Sequence, residues 1–72
     1  MTTHEKLRLI EKVLRAKPNT LTEATRLDGL PMWDSLAMLS LQIEFAQINP
    51  GVQFDQLYMC STAGDLCKLA DL

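Results

Sequence analysis

The sequence predicts an all-α protein: a small four-helix bundle with three longer helices and one short one, in a single domain spanning residues 1–72. Three observations lead there. A chain of 72 residues supports one core and no more, and buries about 60% of its unfolded surface. Its apolar residues recur at helical spacing in separate stretches, bounded by capping residues, proline or glycine. No stretch shows the β-branched alternation of a strand.

The first helix is expected over 3–15. Leu7, Ile10, Val13 and Leu14 form its apolar stripe, and Glu5, Lys6, Arg8, Glu11, Lys12 and Arg15 take the other side. Thr2 and Glu5 are spaced as a capping box, and Pro18 is expected to stop the helix. Residues 16–33 form a long connection, with Leu21, Leu27 and Leu30 to pack it onto the core. Thr20 and Glu23 leave a short helical turn open there. The second long helix spans 34–48, opened by Asp34 and Ser35 and ended by Asn49-Pro50-Gly51. Val52 and Phe54 are expected to plug the core. Asp55–Met59 reads as a short helix. Ser61 or Thr62 caps the last one, with Thr62 and Asp65 again at capping-box spacing and Leu66, Leu69 and Leu72 as its buried stripe.

Composition excludes several classes of function. Apolar residues make up 47% and charged residues 22%, a globular balance. So small a domain is a poor host for a cleft with several converging catalytic groups, so the chain is expected not to be an enzyme. The net charge is −2 and the pI about 5.1, against a nucleic-acid partner. The charge is uneven: residues 1–17 carry +3 and residues 18–72 carry −5. Cys60 and Cys67 lie seven apart and match neither Cys-x-x-Cys nor a zinc pattern, so no metal site is expected and both read as small buried residues. With few cysteines and no secretory h-region, a reduced, cytoplasmic setting is expected. The longest apolar stretch, 36–48, is too short and too polar to insert in a membrane.

That stretch is apolar on two sides. At about 100° per residue, Met38, Leu41, Phe45 and Ile48 share one side, with Ala37 at its edge. Leu36, Leu39, Ile43 and Ala46 fall nearly opposite. A surface helix needs one apolar stripe. The second either packs under the 16–33 connection or forms a docking surface beside Ser35, and the two readings can divide the stripe between them.

Asp34-Ser35-Leu36 follows a long loop and opens a helix. By itself Asp-Ser is an N-cap. In its setting, the chain resembles the acyl carrier proteins and the related aminoacyl and peptidyl carrier domains over nearly all of its 72 residues. The resemblance rests on the basic amphipathic first helix, the long loop, Leu30-Pro31-Met32-Trp33-Asp34-Ser35-Leu36, the apolar second helix and the Thr62-capped last helix.

The resemblance implies that Ser35 carries a covalent 4′-phosphopantetheine arm, which makes the chain a phosphoprotein. A phosphopantetheinyl transferase installs the arm from coenzyme A with magnesium. A loading ligase then places an acyl or aminoacyl group on the arm's thiol as a thioester. A downstream acyl or aminoacyl transferase or synthase removes it, and the chain works as a monomer. Asp34 caps the helix, contacts the transferase's magnesium, or does both. Leu36 packs on partners, together with Leu39 and Ile43. Trp33 either covers the core or lines the surface where the arm emerges, and Met32 and Met38 are adaptable contacts or core filler. Ser35 has no base nearby in sequence, since the only histidine is His4, which suits an acceptor activated by another enzyme.

Fatty-acid-synthesis carriers are strongly acidic along this helix. Here Glu44 is the only acid after Asp34, and Ser40 and Gln47 stand where further acids are usual. That favours a specialised biosynthesis pathway (polyketide, nonribosomal peptide or surface-polysaccharide) over housekeeping fatty-acid synthesis. The alternative is an unmodified helical interaction module that uses the same apolar stripe.

Overall fold

The computed structural model describes residues 2–70. They fold into α1 (Thr3–Leu14), α2 (Ser35–Ile48), α3 (Phe54–Tyr58) and α4 (Ala63–Ala70), with a 3-10 turn at Leu27–Gly29 in the long connection. This is the expected all-α bundle of three longer helices and one short one. Among the described residues there is no strand, only an isolated antiparallel bridge between Arg26 and Thr62. No helix among them is long and apolar enough to cross a membrane. The helix α1 packs on α2 and α4, and α3 packs on the same two. Ile10, Leu27, Leu41, Phe45, Leu57 and Leu66 form the fully buried centre.

At the start of α1, the Thr2 hydroxyl accepts from the Glu5 amide and the Glu5 carboxylate accepts from the Thr2 amide, both at 3.1 Å. The end differs from expectation. Helix α1 stops at Leu14, and Arg15 is left-handed at φ 58°. The Arg15 amide donates to the Lys12 carbonyl and the Ala16 amide to the Glu11 carbonyl. This is a Schellman termination, completed before Pro18 is reached.

Two residues assigned to the solvated side of α1 are inside. Lys6 and Glu11 are each only 3% exposed. The Glu11 carboxylate accepts from the amides of Asn19 (3.0 Å), Thr20 (2.9 Å) and Leu21 (2.8 Å), and Arg8 Nε lies 2.9 Å from it. Arg8 also donates to the Asn19 side-chain oxygen and to the Leu21 carbonyl at 3.0 Å. Burial opposes the charge on Glu11. The Leu21, Asn19 and Thr20 amides and the Arg8 guanidinium outweigh it and hold the carboxyl below its usual range. The connection therefore starts from a fixed point, with Asn19 left-handed at φ 63°.

Its middle is fixed by α4. The Ala63 amide donates to the Thr25 carbonyl and the Gly64 amide to the Glu23 carbonyl, both at 2.9 Å. The Leu27 amide donates to the Ser61 carbonyl at 2.9 Å. Amides that a helix start leaves unpaired are here taken up by the connection. Thr62, not Ser61, caps α4, exchanging hydrogen bonds with Asp65, whose carboxylate also accepts from the Ser61 amide. Gly64 is a site of close approach: a Cβ there would stand 2.8 Å from the Glu23 carbonyl oxygen. Thr20 and Glu23 cap no helix.

Other expectations need adjustment. Leu21 and Leu27 are buried and Leu30 is half-buried, so the connection does pack down. Val52 is buried, but Phe54 opens α3 half-buried and outside the core cluster. The short helix is Phe54–Tyr58 instead of Asp55–Met59. The buried side of α4 is Ala63, Leu66, Cys67 and Ala70, with Leu69 half-buried. Leu72, assigned to that stripe, lies outside the described residues. Cys67 is buried and Cys60 only half so. Burial, then the Asp65 charge, pushes the Cys60 thiol up to about 11, so it stays protonated near neutral pH.

Two predictions test these ties. A lowered carboxyl pKa stabilises the fold above the unfolded value and is lost as pH falls through the folded one. Glu11→Gln is expected to cost about 2–4 kcal/mol at pH 7. In urea titrations between about pH 5 and pH 3 it should flatten the acid loss of stability. Some slope remains, because Glu5 and Asp65 are also lowered, each chiefly by backbone amides. An unchanged acid slope would remove Glu11 from this role. Gly64→Ala should cost about 1–3 kcal/mol by overpacking, whereas Gly29→Ala, with nothing within 4 Å of its Cβ, should leave the melting temperature nearly unchanged.

Candidate functional site

The connection delivers its last residues onto the core. The Leu30 amide donates to the Leu27 carbonyl and the Trp33 amide to the Leu30 carbonyl, both at 3.0 Å. Met32 and Trp33 are half-buried against the core cluster, so Trp33 covers core without being fully buried. Met38 is buried, as filler.

Asp34 is the N-cap of α2. Its backbone is extended, and its Oδ1 accepts from the Ala37 amide at 2.8 Å, a contact worth about 1 kcal/mol. Its carbonyl accepts from the Met38 amide, which starts the helical ladder. Ser35 follows as the first helical residue and is exposed. Among the described residues, the Ser35 and Leu36 amides have no protein acceptor. The two long-connection helix starts thus differ: that of α4 is filled by loop carbonyls, while that of α2 stays open to water. An open helix start favours an anionic group.

The two-sided pattern of α2 divides as its azimuths imply. Met38, Leu41 and Phe45 are buried. Leu36 is 72% exposed, Leu39 47% and Ile43 59%, so these three do not pack under the connection. Ala46, on the same side, is half-buried. Ile48 departs from its assigned core side and is 40% exposed, although Phe45 in the same turn is fully buried. There the Asn49 side chain donates to the Leu69 carbonyl at 3.1 Å and ties α2 to α4.

Ser35 therefore stands at the head of an uncovered aliphatic strip. A groove of about 300 Å³ opens beside it, between the last turn of α1 and the first turns of α2. Asp34 and Leu36, the neighbours of Ser35, both line it, and so does Arg15. Arg15 is the member that sequence reasoning missed, since its approach depends on how α1 ends. His4 sits in the opposite end turn of α1, about 14 Å along the axis from Val13. Among the described residues, no group of three or more His, Cys, Asp or Glu is placed to hold a metal ion.

The strip's independence from the core is testable. Leu39→Glu and Ile43→Glu should each cost under about 1 kcal/mol and leave the far-UV spectrum unchanged, while Leu41→Ala should lose about 2–5 kcal/mol. A Leu39 or Ile43 penalty as large as that of Leu41 would assign the strip to the core.

No protein-family model matches this chain, and neither a curated protein nor a solved structure matches it.

Proposed function

We propose that this chain is a carrier protein whose Ser35 receives a 4′-phosphopantetheine arm. The observation that supports it best is the exposed residue Ser35 on the first turn of α2, beside free amides and at the head of the Leu36, Leu39, Ile43 strip. In the loading step, Ser35 Oγ attacks the phosphorus of coenzyme A that bears the pantetheine. A new Oγ–P bond forms, the diphosphate P–O bond breaks, and 3′,5′-ADP leaves. The serine proton goes to a base of the transferase. Once bound, the arm supplies a thiol that holds an acyl or aminoacyl group as a thioester.

The chain's own residues present and dock. Asp34 caps α2, and on the partner's side a carboxylate in this place can ligate magnesium. The strip offers apolar contact to the transferase, the loading ligase and the acceptor enzyme. Only Glu44 adds acid to α2 beyond its cap, so long-range charge steering along this helix is weak and docking relies on apolar area. Tethering keeps the intermediate at high effective concentration near each partner. The chain itself then catalyses nothing. The cargo fits a specialised pathway in the cytoplasm better than housekeeping fatty-acid synthesis, and the carrier acts as a monomer.

The second reading, an unmodified helical interaction module, is favoured by the strip alone. Intact mass separates the two. Incubation with coenzyme A, magnesium and a promiscuous phosphopantetheinyl transferase should add one arm to the wild type and none to Ser35→Ala. Leu39→Glu should load more slowly while remaining folded. No mass gain with several transferases sinks the carrier reading and leaves the interaction module.

A further inference from the structure

The α1 wall of the groove between α1 and α2 has no role in the loading step, yet the α2 wall it faces includes both neighbours of Ser35. We infer that it is a resting cradle for the proximal half of the arm, with Arg15 facing the phosphodiester. The inference rests on the carrier reading and adds where the arm lies between encounters.

The chemistry of the walls matches that occupant. A phosphodiester bears one negative charge, and Arg15 supplies a guanidinium that is always cationic. The other ionisable group at the groove is Asp34, whose Oδ1 is engaged by the Ala37 amide, so Arg15 is the member suited to an anion. Beyond the phosphate the arm carries a dimethyl-bearing carbon and then amides. Val13, Leu36 and Ala37 offer aliphatic surface for the first, and the Ser40 hydroxyl a partner for the second. The volume of about 300 Å³ lies at the small end of the range for organic ligands. Ser35 itself does not line the groove. As the first helical residue it has no preceding turn beside it, so an arm leaving its Oγ can pass over the open end of α2 to reach the α1 side.

Arg15 is placed for this by the termination of α1. Its left-handed backbone turns the chain just after Leu14, the last helical residue, and Arg15 lines the groove together with residues of α2.

Nuclear magnetic resonance on the ¹⁵N,¹³C-labelled protein before and after loading tests the cradle. Mass spectrometry on the same sample records whether loading occurred. The expected result is a mass gain, with amide shifts at Val13, Leu14, Arg15 and Ser40 larger than those in α4. Nuclear Overhauser contacts should join the arm's methyl groups to Val13 and Leu36. Arg15→Gln should load to the same mass yet shrink those shifts, whereas Lys12→Gln should not. A mass gain with shifts confined to 34–37 overturns the cradle and leaves the carrier reading standing. Shifts in the groove that appear only when transferase is added also overturn it, and assign the groove to a partner side chain. Absence of any mass gain overturns both.

Discussion

Much of this structure depends on one buried carboxylate. Glu11 leaves a basic, outwardly amphipathic helix and points into the molecule, where three consecutive amides converge on it. Burying a lone carboxylate is costly. Here three amides and Arg8 replace the lost water, and the gain is a fixed starting direction for a connection of nearly twenty residues. Without that anchor, Leu21 and Leu27 would have to find the core against the full entropy of a long loop.

The second anchor is the exchange between this connection and the start of α4. Backbone carbonyls of Glu23 and Thr25 fill amides that the helix cannot fill itself, and the closeness of the two segments explains why residue 64 lacks a side chain. The connection is thus held at its beginning by α1 and in its middle by α4. It arrives at Asp34 as a packed segment, and the extended Asp34 cap turns it into α2. The position of Ser35 follows from this chain of ties, and so does its exposure.

The division of α2 is a matter of neighbours. A helix with apolar residues on both sides needs cover on both sides, and a bundle of this size supplies it on one. Met38, Leu41 and Phe45 take the available contacts, while Leu36, Leu39 and Ile43 remain in water. Such a strip is unfavourable in an isolated domain, and the docking role proposed for it would give the pattern a reason. The azimuths of both stripes could be read from residue spacing. Which one would be covered could not, and neither could the partial exposure of Ile48 and Phe54.

The sequence by itself determined the helix count and class, the caps at Thr2 and Asp34, the stop at Asn49-Pro50-Gly51, and the placing of Ser35 at a helix start, and it narrowed the last cap to Ser61 or Thr62. These are local matters, decided by residues within a turn of one another. Tertiary structure alone decided that Glu11 is an anchor, that Arg15 comes to a groove beside α2, that Gly64 meets a carbonyl and that Leu36, Leu39 and Ile43 stay exposed. Each of these depends on what a distant segment brings within hydrogen-bonding or van der Waals reach, and helical periodicity carries no information about that distance.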